Sequence, residues 1–322
     1  MTYEPAEPMR AEPMRVVALS STFDLVNVFA KVRDPRLVLL RPEEVADPMA
    51  IDMALAWKPQ DDAFDRFPNV RMVHSIAAGV DSIVGCPSLP ADAVVARVRD
   101  DAQAMMMAGF AAAHVVWHHR RMADHTRAQA EGLWERSFRP PMSSDVTVGI
   151  LGFGLMGRAC ARAIAALGYR VIAARNSAGG TAEGVEILSG PSAINEVAAR
   201  ADILVNVLPL TDATRDILNA DLFARMPMGA SLVQIGRGEQ LVDADLLAAL
   251  DAGRIRSATL DVFRQEPLPA GHPYWTRKEV LMTPHKASDS SHGEIMRQLV
   301  ENCELYRAGQ PPKGRVDRGN GY

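Results

Sequence analysis

The chain has 322 residues, too many for one ordinary hydrophobic core and about right for two compact domains with a cleft between them. Its net charge is −4, from 35 basic and 39 acidic residues, and neither sign forms a long run. These values argue against a basic stripe for nucleic acid and against an acidic tail, and they favour a small-molecule partner.

The N-terminal residues and the cysteines indicate the cellular compartment. The first 20 residues contain no apolar core of a signal peptide, and no later segment reaches the roughly 18 apolar residues of a membrane span. Cys86, Cys160 and Cys303 lack CxxC spacing, which favours buried, reduced thiols in a cytoplasmic protein. The sequence AEPMR occurs twice in succession, at 6–10 and 11–15, and we expect this leader to be loosely ordered.

Short apolar runs alternate with turn-rich or helical stretches in the first third of the chain. This spacing predicts strands of a parallel sheet with crossover helices, at 15–20, 36–40, 53–57, 70–75 and 94–98. A proline-free helical region then begins near Asp101 and ends before Pro140, and it is a candidate interdomain and oligomer helix. Four of its histidines have no carboxylate or cysteine cluster beside them, so we expect surface or interface roles and no metal site: His114, His118, His119 and His125.

From Val146 the alternation restarts and predicts a second doubly wound domain, whose cofactor would lie at the carboxyl ends of the strands. Its predicted strands are 146–151, 169–174, 202–208, 230–236, 257–263 and 279–284. The last helical stretch has no sheet of its own, so we expect it to pack back on the first domain. The predicted domains are residues 1–110 together with 288–322, and residues 111–287.

A glycine-rich turn after the first strand of the second domain predicts dinucleotide binding. Gly152, Gly154 and Gly157 form G-x-G-x-x-G, with an apolar strand before the motif and an alanine-rich helical run after it. The first glycine permits the tight turn, the second admits the pyrophosphate, and the third allows close packing of helix on strand. Leu155 and Met156 begin the helix whose N–H groups and dipole would face the phosphates.

The residue at the end of the next strand bears on the choice of dinucleotide. Arg175 lies eighteen residues past Gly157, where NAD-specific proteins of this fold usually place a carboxylate. A guanidinium can bind a 2′-phosphate in a bidentate, charge-assisted way, so the sequence favours NADP(H), with NAD(H) still possible. Asn176 and Ser177 could add donors. The alternative is a solvated arginine that tolerates either cofactor.

Three further motifs contain residues with catalytic chemistry, each directly after a predicted strand. Arg237 lies between Gly236 and Gly238 in QIGRGEQLVD, which leaves its backbone free to approach a ligand. Glu266 lies in LDVFRQEPLP, and His285 follows the proline of LMTPHKAS. Together they would bring a cation, a carboxylate and an imidazole to the rim where a nicotinamide must lie.

These motifs are similar to those of the D-isomer-specific 2-hydroxyacid dehydrogenase family, from about Val16 onward. The similarity rests on the G-x-G-x-x-G turn, RGEQLVD, LDVFRQEP and TPH. WKPQDDAFDRFPNVRMVHSIAAGVDSI and GRVDRGNGY further resemble the glyoxylate/hydroxypyruvate reductase A branch. The resemblance implies an α/β protein with a flavodoxin-like substrate domain, a Rossmann cofactor domain and a homodimer.

The resemblance also implies a mechanism. Arg237 would bind the carboxylate and carbonyl oxygen of a 2-oxo acid, because a planar two-pronged donor holds it in one orientation. Hydride would come from the nicotinamide, and His285 would give a proton to the carbonyl oxygen as a general acid. Glu266 would hydrogen-bond the imidazole, fix its orientation and favour its charged form.

Supporting positions follow from the same resemblance. AAGVD resembles the family's substrate loop, so the backbone N–H groups of Gly79 and Val80 are candidate contacts of the carboxylate. Asp261 resembles the acid that holds the nicotinamide amide. Pro209 and Thr211 match the loop beside the cofactor, and an ordinary turn at the end of a strand is the alternative.

Three positions leave alternatives open. Trp57 is either a pocket wall or a packing residue. Lys286 follows the histidine where family members commonly have a small or apolar residue; it could disfavour the charged imidazole or simply point into solvent. Gln234 stands where many relatives have asparagine, which could alter the support of the arginine.

The sequence thus predicts an NADPH-dependent reductase of small 2-oxo acids, with glyoxylate and hydroxypyruvate as the best candidates. An NAD-dependent oxidation of a larger D-2-hydroxy acid is the second interpretation. A non-catalytic dinucleotide-sensing protein is the third, and the intact set of Arg237, Glu266 and His285 argues against it.

Overall fold

The computed structural model describes residues 12–176 and 182–319, which divide into two compact units. One unit ends at Arg99 and resumes at Ser290, and the other spans Asp100–Asp289. The sequence put the first boundary at residue 110. One uninterrupted helix, Asp101–His119, runs through that position, so residues 100–110 belong to the second unit.

The first unit contains a five-stranded parallel sheet within its described residues. The strand order is β2-β1-β3-β4-β5, the flavodoxin-like arrangement. Its strands are β1 (Met14–Ser20), β2 (Leu37–Leu40), β3 (Met53–Trp57), β4 (Met72–Ser75) and β5 (Val94–Ala96), with two short helices, α1 (Leu25–Val28) and α2 (Asp81–Val84). The expectation of a loosely ordered leader is wrong for Met14 and Arg15, because both lie in β1; residues 1–11 are outside the described residues.

Both faces of this sheet are buried, which is why its strands read as continuous apolar runs. Successive residues of a strand point to opposite faces, so Val16 and Val17 of β1 belong to two different core clusters. Met72 and Val73 of β4 divide in the same way.

The second unit begins with helices α3 (Asp101–His119) and α4 (Met122–Ala130) and continues into a seven-stranded parallel sheet within its described residues. The order β12-β11-β10-β9-β6-β7-β8 is the Rossmann arrangement with one strand added beyond β11. In chain order its strands and α-helices are β6 (Thr147–Leu151), α5 (Leu155–Ala166), β7 (Arg170–Arg175), β8 (Val185–Ser189), α6 (Ala193–Arg200), β9 (Ile203–Asn206), α7 (Ala220–Arg225), β10 (Ala230–Gln234), α8 (Asp243–Asp251), β11 (Ile255–Leu260) and β12 (Val280–Met282).

Helix α9 (His292–Arg307) returns the chain to the first unit. Ser291 caps it, its hydroxyl accepting the N–H of Glu294. The apolar side chains recur at helical spacing and pack with Val16 and Met53 of the sheet: Ile295, Met296, Leu299, Val300 and Cys303.

The predicted fold class, two doubly wound parallel sheets, is confirmed. Strand β8 was not predicted, because this edge strand is half-exposed and lacks a continuous apolar run. Cys86, Cys160 and Cys303 are free and buried, as expected. None of the helices in the described part of the chain is long and apolar enough to cross a membrane.

The expected surface or interface role of the four histidines is wrong for two of them. His118 is buried, and its ring nitrogens hydrogen-bond to Ser257 Oγ (2.8 Å) and Thr259 Oγ1 (2.9 Å) of β11. His119 is also buried, against the hydroxyl of Tyr169 at 2.8 Å. The end of α3 packs over the sheet, so its polar side chains bond to β-strand hydroxyls instead of solvent.

Burial of His118 predicts that acid destabilises the fold. Burial lowers the pKa of His118 from 6.5 to about 3. Between those values the unfolded chain binds a proton that the folded chain does not, so the stabilisation is complete above pH 6.5 and is lost as pH falls toward 3. Between pH 6.5 and pH 5, the free energy of unfolding of His118→Gln should fall by about 2 kcal/mol less than that of the wild type. Urea unfolding at the two pH values measures both changes.

The matched control is His125→Gln, because His125 is exposed on α4. Its stability should follow the wild-type pH dependence. If the free energy of unfolding had the same pH dependence in the wild type and His118→Gln, the expected contribution of His118 would be contradicted.

Candidate active site

The predicted site residues of the second unit follow neighbouring strands of one parallel sheet. Strands β12, β11, β10, β9, β6 and β7 are adjacent in that order. Because parallel strands end at the same edge, the loops after them form one continuous rim. The catalytic candidates follow β10 to β12 at one side, and the dinucleotide turn and Arg175 follow β6 and β7 at the other.

The glycine turn after β6 has the geometry that a pyrophosphate requires. Gly152 has a φ of 96°, and a Cβ there would lie 3.1 Å from the Val207 carbonyl oxygen. A Cβ on Gly157 would overlap the Gly152 carbonyl. Gly154 precedes α5 and has open space around its Cα, with no side-chain cap. The N–H groups of Leu155 and Met156 therefore begin a helix at a place where backbone can approach phosphates.

Arg175 is the last residue of β7 and is half-buried. Strand β7 lies directly beside β6, so Arg175 lies on the rim next to the glycine turn. Asn176 follows it and is exposed, while Ser177 is outside the described residues. This arrangement puts a cation at the side of the turn where a Rossmann fold receives the adenosine ribose.

The loop after β9 contains Pro209 and Thr211. The hydroxyl of Thr214 donates to the Pro209 carbonyl at 2.7 Å and accepts the Thr211 N–H at 2.8 Å. This turn fixes the loop at the rim between the glycine turn and the loop after β10.

The glycines that flank Arg237 have a packing role that the sequence did not indicate. A Cβ on Gly238 would overlap the backbone of Phe263 and Arg264. A Cβ on Gly236 would lie 2.9 Å from Asn206 Nδ2. The glycines therefore let the arginine loop pack against neighbouring protein backbone and side chains.

Arg237 is half-buried, and its Nη1 donates to the Gly236 carbonyl at 2.9 Å. A second arginine, Arg264, connects this loop to the loop after β11. Its Nε donates to the Leu241 carbonyl at 2.6 Å, and its guanidinium also pairs with Asp216. Arg237 and Glu266 thus lie on two loops that are held directly against each other.

His285 and Glu266 form a pair. His285 Nδ1 lies 3.0 Å from Glu266 Oε2 and 3.2 Å from Oε1, so the ring donates through Nδ1–H. Glu266 Oε1 also accepts the Phe263 N–H at 3.1 Å, which fixes the carboxylate. With Nδ1 committed to the carboxylate, Nε2 is the nitrogen that can exchange a proton with a ligand.

Asp261 supports the histidine loop. His285 has a φ of 55°, an uncommon value for a non-glycine residue, and its N–H donates to the Asp261 carbonyl at 2.8 Å. The buried Asp261 carboxylate accepts hydrogen bonds from Thr283 Oγ1 (2.6 Å), Lys286 N (2.7 Å) and Ala287 N (2.9 Å). Asp261 therefore holds the loop on both sides of His285.

The Lys286 side chain points into solvent, which was one of its two interpretations. Its side chain is 65% exposed, and its ammonium lies 3.3 Å from the equally exposed Asp289 carboxylate. The contribution of Lys286 to the site is its backbone N–H on Asp261.

Three predicted substrate contacts belong to the first unit. Trp57 ends β3, half-buried, with the Lys58 ammonium 5.9 Å from its ring centroid. Gly79 and Val80 lie in the loop after the adjacent strand β4, where Ser75 Oγ donates to the Gly79 carbonyl at 3.1 Å. All three thus lie at the carboxyl ends of two neighbouring strands of that sheet.

Comparison with known proteins assigns the family. A family model described as D-isomer specific 2-hydroxyacid dehydrogenase, NAD binding domain, matches residues 112–287. A curated relative, glyoxylate/hydroxypyruvate reductase A of Yersinia enterocolitica, is 34% identical over 281 residues, which are 86% of this chain and 89% of the relative. The chain belongs to the D-isomer specific 2-hydroxyacid dehydrogenase family.

Solved structures of D-2-hydroxyacid dehydrogenases share the fold of this dehydrogenase. One from Xanthobacter autotrophicus Py2, in complex with NADPH and MES, has a TM-score of 0.88 and 36% identity and covers 97% of this chain and 100% of its own. The NADPH-dependent glyoxylate/hydroxypyruvate reductase of Sinorhizobium meliloti, in complex with NADP and sulfate, has a TM-score of 0.88 and 31% identity. The match covers 96% of this chain and 100% of that structure's chain.

Sequence reasoning missed several residues that organise the site of this dehydrogenase. Arg264 lies within LDVFRQEPLP and Gln240 within QIGRGEQLVD, but the motifs indicate no role for either residue, and the family resemblance assigns Asp261 only to the nicotinamide. Their bonds join loops that are distant in the chain, so no local pattern indicates them. In the part of the chain that the structure describes, no group of three or more His, Cys, Asp or Glu residues could hold a metal ion.

Proposed function

We propose that this dehydrogenase reduces small 2-oxo acids, glyoxylate and hydroxypyruvate, to 2-hydroxy acids with NADPH. The observation that supports it best is the His285–Glu266 pair on the rim that also carries Arg237 and the dinucleotide turn. Relatives named glyoxylate/hydroxypyruvate reductase A, and the NADPH and NADP complexes of solved relatives, support the substrate and cofactor.

The cofactor would lie along the rim in the order of the strands. Gly152, Gly154 and Gly157, with the N–H groups of Leu155 and Met156, would hold the pyrophosphate. Arg175, with Asn176 and Ser177, would bind the 2′-phosphate, since a guanidinium offers a bidentate partner to a dianion. Pro209, Thr211 and Asp261 would flank the nicotinamide end, and the bound cofactor would supply the hydride.

Arg237 would bind the carboxylate and the carbonyl oxygen of the substrate. The N–H groups of Gly79 and Val80 and the Trp57 ring are the substrate contacts proposed for the first unit. His285 would donate the proton to the carbonyl oxygen from Nε2, because Glu266 engages Nδ1. Glu266 would fix the ring and stabilise the positive charge that it carries before proton transfer.

The proposal predicts a cofactor preference that depends on Arg175. With glyoxylate or hydroxypyruvate, the wild type should oxidise NADPH with a higher kcat/KM than NADH. Arg175→Asp should lower the NADPH/NADH ratio of kcat/KM by roughly 10- to 100-fold, because a bidentate, charge-assisted contact is replaced by repulsion. Steady-state kinetics at 340 nm with both cofactors measure the ratio.

The matched control is Arg170→Asp at the opposite end of β7, where the guanidinium donates to the Asp145 carbonyl at 2.8 Å. It should leave the cofactor ratio unchanged. A wild type that turns over only larger D-2-hydroxy acids with NAD would support the oxidative alternative. Failure to oxidise NADPH with any 2-oxo acid would overturn the proposed function.

The proposed proton transfer predicts distinct effects of the two charges beside His285. Glu266→Gln should lower the kcat of NADPH oxidation with glyoxylate about 100-fold, because a neutral amide cannot replace the charge-assisted acceptor that holds Nδ1. Lys286→Ala should leave kcat unchanged, since its ammonium is solvated and paired with Asp289. An unchanged kcat in Glu266→Gln would show that the carboxylate does not assist the imidazole.

We further propose a homodimer formed through the second unit. An apolar groove on this unit is lined by Ala112, Ala113, Val116, Trp117, Met122 and Leu167. The segment after α4 exposes Leu133 (59%) and Trp134 (91%) on the same unit. Because groove and exposed side chains occur on every copy, two chains related by a twofold axis can cover each other's apolar surface.

Trp134→Ala should raise the dimer dissociation constant about 30-fold or more, as expected for a buried interface tryptophan. Sedimentation velocity over a range of concentrations measures the constant. Trp275→Ala is the matched control, because Trp275 is also exposed (56%) but lies on the loop before β12. A monomeric wild type at all concentrations would refute the dimer.

A further inference from the structure

Three fully buried amide side chains meet beneath the arginine loop of the second unit. Asn206 ends β9, Gln234 ends the adjacent strand β10, and Gln240 follows Arg237 by three residues. All three are 0% exposed. We call Asn206, Gln234 and Gln240 the amide triad.

Gln240 uses every hydrogen-bonding position of its amide. Its Oε1 accepts the Arg237 backbone N–H and Asn206 Nδ2, both at 2.8 Å. Its Nε2 donates to the carbonyl oxygens of Leu208 (3.2 Å) and Pro209 (3.0 Å). Gln240 therefore ties the arginine loop to the loop that contains Pro209.

Gln234 holds the other side of the same peptide. Its Nε2 donates to the Arg237 carbonyl at 2.8 Å, and its Oε1 accepts the Gly236 N–H at 3.2 Å. Asn206 joins the two glutamines, because its Nδ2 also donates to Gln234 Oε1 at 2.7 Å. Arg237 is thus held by its N–H through Gln240 and by its carbonyl through Gln234.

A buried amide that loses a partner is costly, and each amide of the triad is hydrogen-bonded through both its nitrogen and its oxygen, so the set favours one arrangement of the loop. The amide orientations are also determined, since the oxygen of Gln240 must face two N–H donors and its nitrogen two carbonyls. Gly236 belongs to the same arrangement, because a Cβ there would overlap Gln240 Oε1.

We propose that the amide triad positions Arg237 for substrate binding and that Gln240 also positions the Pro209 loop for the cofactor. This inference rests on the proposed function for its kinetic consequences. The bonding pattern assigns different roles to the two glutamines. The Gln234 side-chain amide hydrogen-bonds to the arginine loop and Asn206, whereas the Gln240 amide hydrogen-bonds to both loops.

The test compares Gln234→Met and Gln240→Met, which keep side-chain length and remove the amide. Gln234→Met should raise the KM for glyoxylate about tenfold and lower kcat, while the NADPH Kd from fluorescence titration stays within about twofold of the wild type. Gln240→Met should raise both the KM for glyoxylate and the NADPH Kd about tenfold. Backbone amide exchange at Arg237 should be at least about tenfold faster in Gln240→Met, because its acceptor is gone.

Asn302→Leu is the matched control. Asn302 is a buried amide of α9 that holds the N–H (2.7 Å) and carbonyl (3.0 Å) of Lys313 in the first unit. Asn302→Leu should lower the melting temperature without changing the KM for glyoxylate, the NADPH Kd or amide exchange at Arg237. If Gln240→Met does not fold, Gln240→Glu keeps one acceptor oxygen toward Arg237 and Asn206 and places a second, repelling oxygen against the Leu208 and Pro209 carbonyls. It should weaken NADPH binding and leave Arg237 exchange unchanged.

Folded glutamine variants with wild-type kinetics, NADPH Kd and Arg237 exchange would overturn the positioning role. An equal change in Asn302→Leu would do the same, because the effect would then follow general destabilisation. A wild type that reduces no 2-oxo acid would instead refute the proposed function. In that case the NADPH Kd and the backbone amide exchange at Arg237 would still test the role of the amide triad, because neither measurement requires turnover.

Discussion

The parallel alignment of strands is the constraint on which the rest of the second unit depends. Because six adjacent strands end at one edge, residues as far apart in sequence as Arg175 and His285 lie on one rim. The strand order also sets a direction along that rim, from the glycine turn and Arg175 to the arginine, glutamate and histidine loops. Motifs that are distant in the sequence therefore place cofactor-binding and catalytic candidates beside each other on the rim.

Buried polar groups hold the functional side chains of this rim. Asp261 accepts three protein donors around His285, and the amide triad holds the peptide of Arg237 from both sides. Such groups are costly to bury unless every donor and acceptor is paired, so each network favours one loop geometry. A reaction site requires functional side chains to be held in this way by their surroundings.

Much of the fold and of the candidate site followed from local pattern. Apolar runs predicted all strands of both sheets except the half-exposed edge strand β8, and the resemblance in motif predicted the His285–Glu266 pair. Two failures have a tertiary cause. The sequence predicted surface or interface roles for His118 and His119, but the end of α3 packs over the sheet and buries both rings.

The sequence by itself determined the fold class, the dinucleotide turn and the identities of the catalytic candidates, because periodicity and glycine placement act within short stretches of chain. Only the tertiary structure decided which groups position them. Arg264 reaches across to Leu241, and Gln240 reaches Pro209, and these bonds depend on how the ends of neighbouring strands come together. A hydrogen bond between distant loops produces no periodic pattern in the sequence, so only the three-dimensional packing shows which residues form it.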